Sequence, residues 1–411
     1  MKNQDFKLIL FFLFLFIFLR SVNFKEHLNF SFDQAWSSTR VLEIWKNKEI
    51  TLVGPGSSLI ANGKQILQGS INYYFQLIFL LIGRFDPILS SYFLMFLNGL
   101  MLIPLYFGVK LLSERKTAIF ILLIYTLLPY FIDFTRFFFG PVYQLSLLPL
   151  LVLLMGFYKK LKKNIFLFFV FVMAGILLQF HYQIIVLIFI LSIYYLWKTQ
   201  NKIPKIFLMS IGLILGYFPM IVFEVKNQFY NFKVLAEYIK FSKKPSDFFF
   251  IPHRYLSISL ILLIISSPIY KKFLKAKTLI ILGLALFSLD LFLYLPKPKN
   301  AFGMSPNWNY LMEKKAYQII KKEDLKNFNV VNLTYDNLSV VIKYHLKLDN
   351  YPLNYDDYYH NEYLFVINKD ENIFNNPAYE VNTFKPNIKL KQWKLNDTYN
   401  LYLFKRLKKD L

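Results

Sequence analysis

A carboxylate just beyond the first apolar run is the side chain best placed for chemistry. Asp33 lies in the segment FSFDQAW at residues 30–36, about nine residues after the apolar run at 8–24. A carboxylate at a membrane surface can accept the proton of a hydroxyl group while the hydroxyl oxygen attacks an electrophilic carbon, which is general base catalysis. Asp is also a favoured N-cap residue, so capping of a helix through 35–45 is the alternative role.

Other catalytic signatures are missing from the sequence. It contains no Asp-x-Asp pair of the kind that holds a nucleotide-sugar metal, no glycine-rich phosphate loop and no His-Glu-x-x-His zinc motif. The five His residues have no ligand spacing, and the absence of Cys excludes disulfides, thiolate metal sites and Cys nucleophiles. The sequence therefore indicates no metal site, and we expect no cofactor.

The elements that must position Asp33 are membrane helices. Of the 411 residues, 56% are hydrophobic and 46 are Phe, which is more apolar surface than a soluble core of this size can bury. The net charge of +23 does not indicate a nucleic-acid partner, because the Lys and Arg residues form short clusters between apolar runs. The composition therefore predicts a polytopic α-helical membrane protein.

The apolar runs and the basic clusters together predict a topology. The ten apolar runs lie at about residues 8–24, 72–84, 88–112, 117–132, 141–158, 165–180, 182–197, 206–223, 255–269 and 279–295. The basic clusters at 113–116, 159–163, 198–205 and 271–277 should be cytoplasmic together with Lys2 and Lys7. The run INYYFQLIFLLIG is only roughly 20 Å long as a helix, too short for a hydrocarbon core of about 30 Å. If it is a juxtamembrane or re-entrant helix, about nine spans remain. The first apolar run is then interpreted as a retained helix. The N-terminus lies on the cytoplasmic side and the C-terminus on the outer side.

This topology divides the chain into two domains. Residues 1–295 form the membrane domain, and its outer segments 25–87, 133–140, 179–183 and 224–254 converge on the outer face. After 295 the composition changes to Asn, Asp, Lys and Tyr with no further spanning run, which predicts a soluble extracytoplasmic domain at 296–411. Helical periodicity at 312–324 and 337–348 alternates with the strand-like segments NVVNL, EYLFVIN and YNLYLF, so we expect a small α/β fold there.

The outer segments resemble a known enzyme family in the order of their motifs. FSFDQAW is followed by LVGPGSS, by QGSINYYF, by TRFFFGP at 135–141 and by FPMIVFEVKNQF at 218–229. This order resembles the GT-C glycosyltransferases, and most closely the bacterial members with a protein O-mannosyltransferase-like domain (glycosyltransferase family 39-like). The resemblance covers about residues 1–255, and the family's G-P-x-x-Y-Y element reads Gly69-Ser70-Ile71-Asn72-Tyr73-Tyr74 here, without the proline.

The resemblance implies a reaction and its substrates. The donor would be a polyprenyl-phosphate sugar, the acceptor a glycan, lipid or protein of the cell envelope, and the transfer would be inverting with Asp33 as general base. Cationic groups should stabilise the leaving phosphate, and the candidates are Arg136, His181, Arg254 and Lys226. Their alternative roles are a snorkelling interfacial residue for Arg136, a helix-junction residue bonded to backbone for His181, and contacts with anionic headgroups for the other two.

Four further residues are candidates for the substrate cavity. Tyr73 and Tyr74 can stack on a sugar or line a lipid groove, although aromatic residues are also ordinary at membrane interfaces. Gln34 is adjacent to the candidate base. Glu224, at the outer end of a span, is costly if it faces lipid, so it should point into the cavity or pair with Lys226 or Arg136.

Two other classes of function fit the same sequence. A lipid-linked glycan flippase or carrier, or a polysaccharide polymerase, would also be basic, aromatic and membrane-embedded. Carriers place ionisable residues near the bilayer midplane, whereas most candidates here lie at span ends, with Asp290 as the main exception. An inactive scaffold subunit is the third possibility. The position of the ionisable residues favours the enzyme.

Overall fold

The computed structural model describes residues 3–197, 202–241, 255–298, 300–301, 303–351, 357–385 and 387–407. The helices are α1 (Asn3–Ser21), α2 (Phe24–His27), α3 (Phe32–Asn47), α4 (Ile71–Ile82), α5 (Pro87–Leu100), α6 (Leu102–Leu112), α7 (Arg115–Leu127), α8 (Pro129–Phe134), α9 (Gly140–Leu161), α10 (Asn164–Phe180), α11 (Ile184–Trp197), α12 (Lys202–Gly216), α13 (Phe218–Lys226), α14 (Tyr230–Phe241), α15 (Leu256–Ile265), α16 (Ser267–Tyr270), α17 (Ala276–Leu293), α18 (Tyr310–Glu323), α19 (Val340–Leu348) and α20 (Tyr379–Asn382). The strands are β1 (Val53–Ala61), β2 (Lys64–Gly69), β3 (Phe328–Asn332), β4 (Tyr363–Asn368), β5 (Asn387–Lys394) and β6 (Asn400–Arg406).

The chain forms two compact units. The first, which we call the bundle unit, comprises Met1–Val22, Ile44–Arg84 and Leu89–Leu295. The second, the sheet unit, comprises Asn23–Glu43, Phe85–Ile88 and Pro296–Leu411. The boundary at 295/296 falls where the composition changes. The two short segments that join the sheet unit come from the stretch 25–87, which the sequence assigned as a whole to the membrane domain.

Several helices of the bundle unit are suited to a membrane. Pro87–Leu112, Gly140–Leu161 and Ala276–Leu293 are each long and apolar enough to cross one. Two bent helix pairs are also apolar enough when each pair is taken together. They are α12 with α13, bent by 75°, and Leu256–Ile265 with Ser267–Phe273, bent by 54°. The number of candidate spans rises to five if each pair is one span. The prediction of a helical membrane protein is confirmed in this coarse form, and the nine-span topology stays a prediction.

Small residues allow close packing of the helix backbones in the bundle unit. A Cβ atom added at Gly108 of α6 would lie 2.6 Å from the backbone nitrogen of Leu153 in α9. One added at Gly175 of α10 would lie 2.6 Å from the carbonyl oxygen of Leu213 in α12. Because water does not drive apolar helices together within lipid, such close contacts are what hold membrane helices to each other.

Ionisable side chains mark the two ends of the bundle unit. At one end, the Asp5 carboxylate accepts a hydrogen bond of 2.6 Å from the Tyr106 hydroxyl and pairs with Lys110 at 2.7 Å and Arg115 at 3.2 Å. At the other end of α1, Arg20 is fully buried. The two ends are therefore about 22 Å apart along α1, from the helical rise of about 1.5 Å per residue.

The sheet unit contains a four-stranded mixed sheet in the order β3-β4-β6-β5, with β3 parallel to β4 and the other pairs antiparallel. The two helices and three strands predicted after residue 300 are present as α18, α19, β3, β4 and β6. Strand β5 was not predicted, although Ile388 and Leu390 alternate with Lys389 and Lys391 as in a strand with one exposed face. It lies at the edge of the sheet, where charged side chains discourage pairing with other chains.

The core of the sheet unit contains a buried carboxyl group. Oε1 of Glu313 in α18 accepts hydrogen bonds from Trp308 Nε1 at 3.0 Å, Asn332 Nδ2 at 2.9 Å and the Tyr335 hydroxyl at 3.0 Å. Oε2 is buried without a hydrogen-bond partner in the described part of the chain. Burial raises the pKa of Glu313 to about 7, although the three donors oppose the shift.

We expect this carboxyl group to make the sheet unit less stable as the pH rises. The pKa of Glu313 is about 7 in the folded state, against 4.5 for an ordinary Glu, which represents the unfolded state. The folded state therefore binds the proton more tightly. The stability that this contributes is fully present below about pH 4.5 and is lost as the pH rises through about 7. The loss is at most about 3 kcal/mol. Thermal unfolding of wild type and Glu313→Gln from pH 5 to 8 checks this, because the amide cannot ionise and the difference in Tm isolates Glu313. The variant should become the more stable protein at pH 8; parallel Tm curves would contradict the assignment.

Candidate functional site

Asp33 lies in the exposed first turn of α3 and is not the residue that caps this helix. Ser31 precedes the helix, and its backbone N–H and hydroxyl both donate to Gln34 Oε1, at 3.2 and 2.7 Å. The Ser31 carbonyl accepts the first helical hydrogen bond, from Ala35 N–H at 2.9 Å. A Ser with Gln three residues later is a capping box, so the capping role belongs to Ser31 and Gln34. The Asp33 carboxylate is exposed.

Two aromatic rings of α3, one residue before and three residues after Asp33 in the chain, stack on one face of the helix. Phe32 and Trp36 stack with ring centroids 5.8 Å apart and an interplanar angle of 15°, and both are exposed. An exposed aromatic pair suits contact with an apolar surface or ligand. Sequence reasoning missed Trp36. The spacing of four residues, which places two rings on one helix face, is the signal that predicts this pair.

The segment that carries Asp33 is anchored within the sheet unit. Phe30 is fully buried, with its ring centroid 5.5 Å from that of Tyr310 and 5.4 Å from that of Tyr344. The Tyr344 hydroxyl donates to the carbonyl of Phe85 at 2.7 Å. Glu43, near the other end of the segment, pairs with Lys347. Helices α18 and α19 therefore hold the chain on both sides of Asp33.

We expect Phe30→Ala to destabilise the sheet unit by about 3–5 kcal/mol, because it removes a fully buried ring and leaves a cavity. Phe32→Ala is the matched control, since it removes an exposed ring two residues away. Chemical unfolding of the two variants, followed by circular dichroism, checks the difference. Equal unfolding free energies would show that the Phe30 contacts do not hold the segment in place.

Arg136 belongs to a buried polar cluster in the bundle unit. Its Nη2 lies 2.6 Å from Asp133 Oδ1, and its guanidinium carbon lies 5.5 Å from the centroid of the Tyr294 ring. The Tyr294 hydroxyl donates to Asp133 Oδ2 at 3.1 Å. Arg136 is only 1% exposed, and its Nε and Nη1 have no hydrogen-bond partner among the described residues. Two donors of a buried guanidinium are thus left available.

Arg20 and Asp290 extend this cluster. Arg20 Nε donates to the Thr135 hydroxyl at 2.6 Å, while Nη1 donates to the Thr126 carbonyl and Nη2 to the Tyr125 carbonyl, each at 3.0 Å. Asp290 is fully buried, and both of its carboxyl oxygens lack a hydrogen-bond partner in the part of the chain that the structure describes. The cluster therefore holds two guanidinium and two carboxyl groups at the Arg20 end of the bundle unit.

Sequence reasoning identified Arg136 as a candidate and noted Asp290, but it missed Arg20, Asp133 and Tyr294. The signal for Asp133 is an acid three residues before an Arg, because residues at this spacing meet on one face of a helix. The signal for Arg20 is a cation inside the first apolar run, where a charge without partners is costly.

His181 lies at a junction at the end of α10. Its ring Nδ1 accepts the backbone N–H of Gln183 at 3.4 Å, and its carbonyl oxygen accepts from Gln144 Nε2. Nearby, Asn72 Nδ2 donates to the carbonyl oxygens of Gln179 and Phe180 at 3.2 and 3.1 Å. The contacts of the ring with its own junction match the alternative, structural role for His181.

The loop after Arg136 brings the buried cluster close to this junction. A Cβ atom at Gly140 would lie 2.5 Å from the carbonyl oxygen of Phe180 and 3.2 Å from Gln68 Oε1. Arg136 is four residues before Gly140, so their Cα atoms are at most about 14 Å apart. The structure thus brings Arg136 and His181 into the same region of the bundle unit.

Glu224 contacts the start of α14, and Lys226 is exposed. Glu224 Oε2 accepts the backbone N–H of Asn231 at 3.2 Å, near the start of α14. Among the described residues, no ion pair joins Glu224 to Lys226 or Arg136, so the predicted pairing is absent there. A carboxylate at the first N–H groups of a helix is favoured by the helix dipole, which explains why this acid is tolerated.

The tyrosines of α4 have contacts within the bundle unit. Tyr73 is buried, and Tyr74 is half-buried. The Tyr74 hydroxyl accepts the Thr51 N–H at 2.9 Å and donates to the Thr51 carbonyl at 3.2 Å, which fixes the chain entering β1. Arg254 lies outside the described residues. The substrate-cavity roles of Gln34, Tyr73, Tyr74 and Glu224 stay predictions.

No group of three or more His, Cys, Asp and Glu side chains that could hold a metal ion occurs within the described ranges. A scan of protein-family models finds no matching family, and searches of curated proteins and of solved structures find no similar protein.

Proposed function

We propose that this protein is a membrane glycosyltransferase that transfers a sugar from a polyprenyl-phosphate donor to a glycan, lipid or protein acceptor of the cell envelope, on the outer face of the membrane. In this proposal the N-terminus and the Asp5 end of the bundle unit are cytoplasmic, the chain crosses the membrane about nine times, and the sheet unit is outside. Asp33 is the general base.

The observation that carries the proposal is the pair of unpartnered guanidinium nitrogens on Arg136. Buried donors in proteins are almost always satisfied, so two such atoms in one side chain call for an acceptor from water or from a ligand. The guanidinium fork matches two oxygens of a phosphate group. The position of Arg136 at the Arg20 end of the bundle unit suits a phosphate whose hydrocarbon tail lies in the bilayer.

The proposed reaction is a single displacement with inversion. The Asp33 carboxylate takes the proton of the acceptor hydroxyl as its oxygen forms a bond to the anomeric carbon of the sugar. The bond between that carbon and the phosphate oxygen breaks, and polyprenyl phosphate leaves with the electron pair. Arg136 stabilises the negative charge that develops on the leaving oxygen. Electrostatic stabilisation of this kind is usually the largest single contribution to the rate enhancement.

The position of the buried ionisable groups supports an enzyme over a carrier or flippase. Arg20 lies in the last turn of α1, Arg136 follows α8, and Asp290 lies in the last turn of α17. Carriers bind their substrate and coupling ions near the middle of the bilayer, at broken helices. A polar cluster at one end of the bundle is better suited to chemistry at the membrane surface.

The test is transfer by the purified protein with a panel of polyprenyl-phosphate sugars and cell-envelope acceptors. Transfer or donor hydrolysis by wild type, lost in Asp33→Asn, is the expected result. Donor binding without turnover across the whole panel would favour a carrier or an inactive scaffold. Reporter fusions after Lys163 and Lys299 test the topology separately, because the proposal places these two sites on opposite sides of the membrane.

A further inference from the structure

Helix α14 packs on the ribbon formed by β1 and β2 through one of its faces. Val234 is buried against Ala61 and Ile66 of the ribbon. Asn231 Oδ1 accepts the backbone N–H of Leu67 at 2.8 Å, and its Nδ2 donates to the Leu67 carbonyl at 3.1 Å. This face of α14 is therefore packed against the ribbon, and the residues on the other faces of the helix point away from the ribbon.

A second face of α14 is apolar and exposed. Phe232, Leu235 and Ile239 are 64%, 39% and 69% exposed. Their spacing of three and four residues places them in one stripe along the helix. Burial of apolar side chains away from water is favourable, so a stripe of three facing water is unfavourable. An apolar environment that covers the stripe is expected.

The third face of α14 carries two lysines, and Glu237 between them accepts a hydrogen bond from Asn62 Nδ2 at 3.0 Å. Lys233 and Lys240 are both exposed and lie seven residues apart, which is two helical turns, so they are on the same side of the helix. Helices that lie in the membrane–water boundary combine an apolar stripe with Lys or Arg on the polar face. The arrangement of α14 is of this kind.

We propose that the exposed stripe of α14 is buried in the boundary between lipid headgroups and acyl chains, with Lys233 and Lys240 at anionic headgroups. The position of α14 in the chain supports a lipid partner: it begins four residues after Lys226, the end of the bent helix pair that is apolar enough to span a membrane. The end of a span is where the headgroup region lies. This inference does not depend on the proposed glycosyltransferase activity.

The natural absence of Cys allows a direct test on the full-length protein. Ile239→Cys and Lys233→Cys are labelled separately with a nitroxide in nanodiscs that contain anionic phosphatidylglycerol, and relaxation by oxygen and by a water-soluble nickel complex is measured. Oxygen concentrates in lipid and the nickel complex in water. We expect the ratio of oxygen to nickel effects to be severalfold higher at position 239 than at position 233.

Two results would overturn the proposal. Equal, high accessibility of both labels to nickel would show that the stripe faces water. Low accessibility of the label at 239 to both reagents would show that protein covers the stripe, either a second copy or another segment of the chain.

The lysine face is tested with lipids that carry brominated acyl chains. Bromine quenches a bimane fluorophore on Ile239→Cys on close approach. In mixed nanodiscs we expect stronger quenching when phosphatidylglycerol carries the bromine than when phosphatidylcholine does, and loss of this difference in the background Lys233→Gln, Lys240→Gln. The attraction of lysines to an anionic surface is strong enough to enrich anionic lipid around the helix severalfold. Equal quenching by both lipids in the parent protein would contradict the headgroup assignment.

Discussion

Asp33→Asn should lower the rate of sugar transfer by about 10²- to 10⁴-fold, the usual contribution of a positioned general base. The amide has nearly the shape of the carboxylate but cannot accept the acceptor's proton at neutral pH. Because a base acts only in the transition state, kcat should fall while the KM for the donor stays nearly constant. Initial rates at several donor concentrations measure both quantities.

The structure predicts that this substitution spares the fold. Asp33 is exposed, and the helix start is capped by Ser31 and Gln34 rather than by Asp33 itself. Loss of a negative charge from the first turn of a helix costs about 0.3–1 kcal/mol, which is small against the loss of a catalytic proton acceptor. Thermal unfolding of the variant should therefore match wild type.

Asp370→Asn is the matched control for this substitution. It removes an exposed carboxylate of the sheet unit in a turn after β4, and it should leave transfer unchanged. Full transfer activity in Asp33→Asn would exclude this residue as the base. Equal losses of activity in both variants would show a general effect of surface charge.

Local patterns in the sequence predicted most elements of the sheet unit. Strands β3, β4 and β6 were found because each is a short apolar and aromatic run, buried almost throughout. Helices α18 and α19 were found because their apolar residues recur at helical spacing. The ribbon of β1 and β2 was missed, since its first strand contains Gly54, Pro55 and Gly56, residues that are depleted in strands. Propensity is overridden there by contacts with α14 and α4.

The assignment of the Asp33 segment to the sheet unit could not be found from the sequence. The burial of Phe30 depends on Tyr310 and Tyr344, which lie about 300 residues away in the chain. No local period marks such a contact. For the buried cluster, by contrast, Arg136 was identified from its motif, and only its partners required the structure.

Replacement of Arg136 is expected to weaken binding of the sugar donor strongly. Replacement of Arg136 removes two available N–H donors, and each hydrogen bond to a charged group is worth about 1.5–3 kcal/mol. The donor should bind about 10²-fold more weakly or worse. Arg136→Lys should recover only part of the loss, because an ammonium group keeps the charge but not the planar fork. Isothermal titration with a polyprenyl-phosphate sugar measures the change.

Arg136→Gln alone could destabilise the fold, because it leaves the Asp133 carboxylate without its ion-pair partner. A second substitution is therefore needed to separate loss of binding from unfolding. Breaking a buried ion pair by removing one partner costs about 3–5 kcal/mol, whereas replacing both is often neutral. Asp133→Asn combined with Arg136→Gln removes both charges together and should keep the fold while donor binding is lost. Arg84→Gln, at an exposed position, is the control for a lost cation. If the folded double variant binds donor as well as wild type, then Arg136 serves only to balance the partly buried charge of Asp133, and the phosphate must be bound elsewhere.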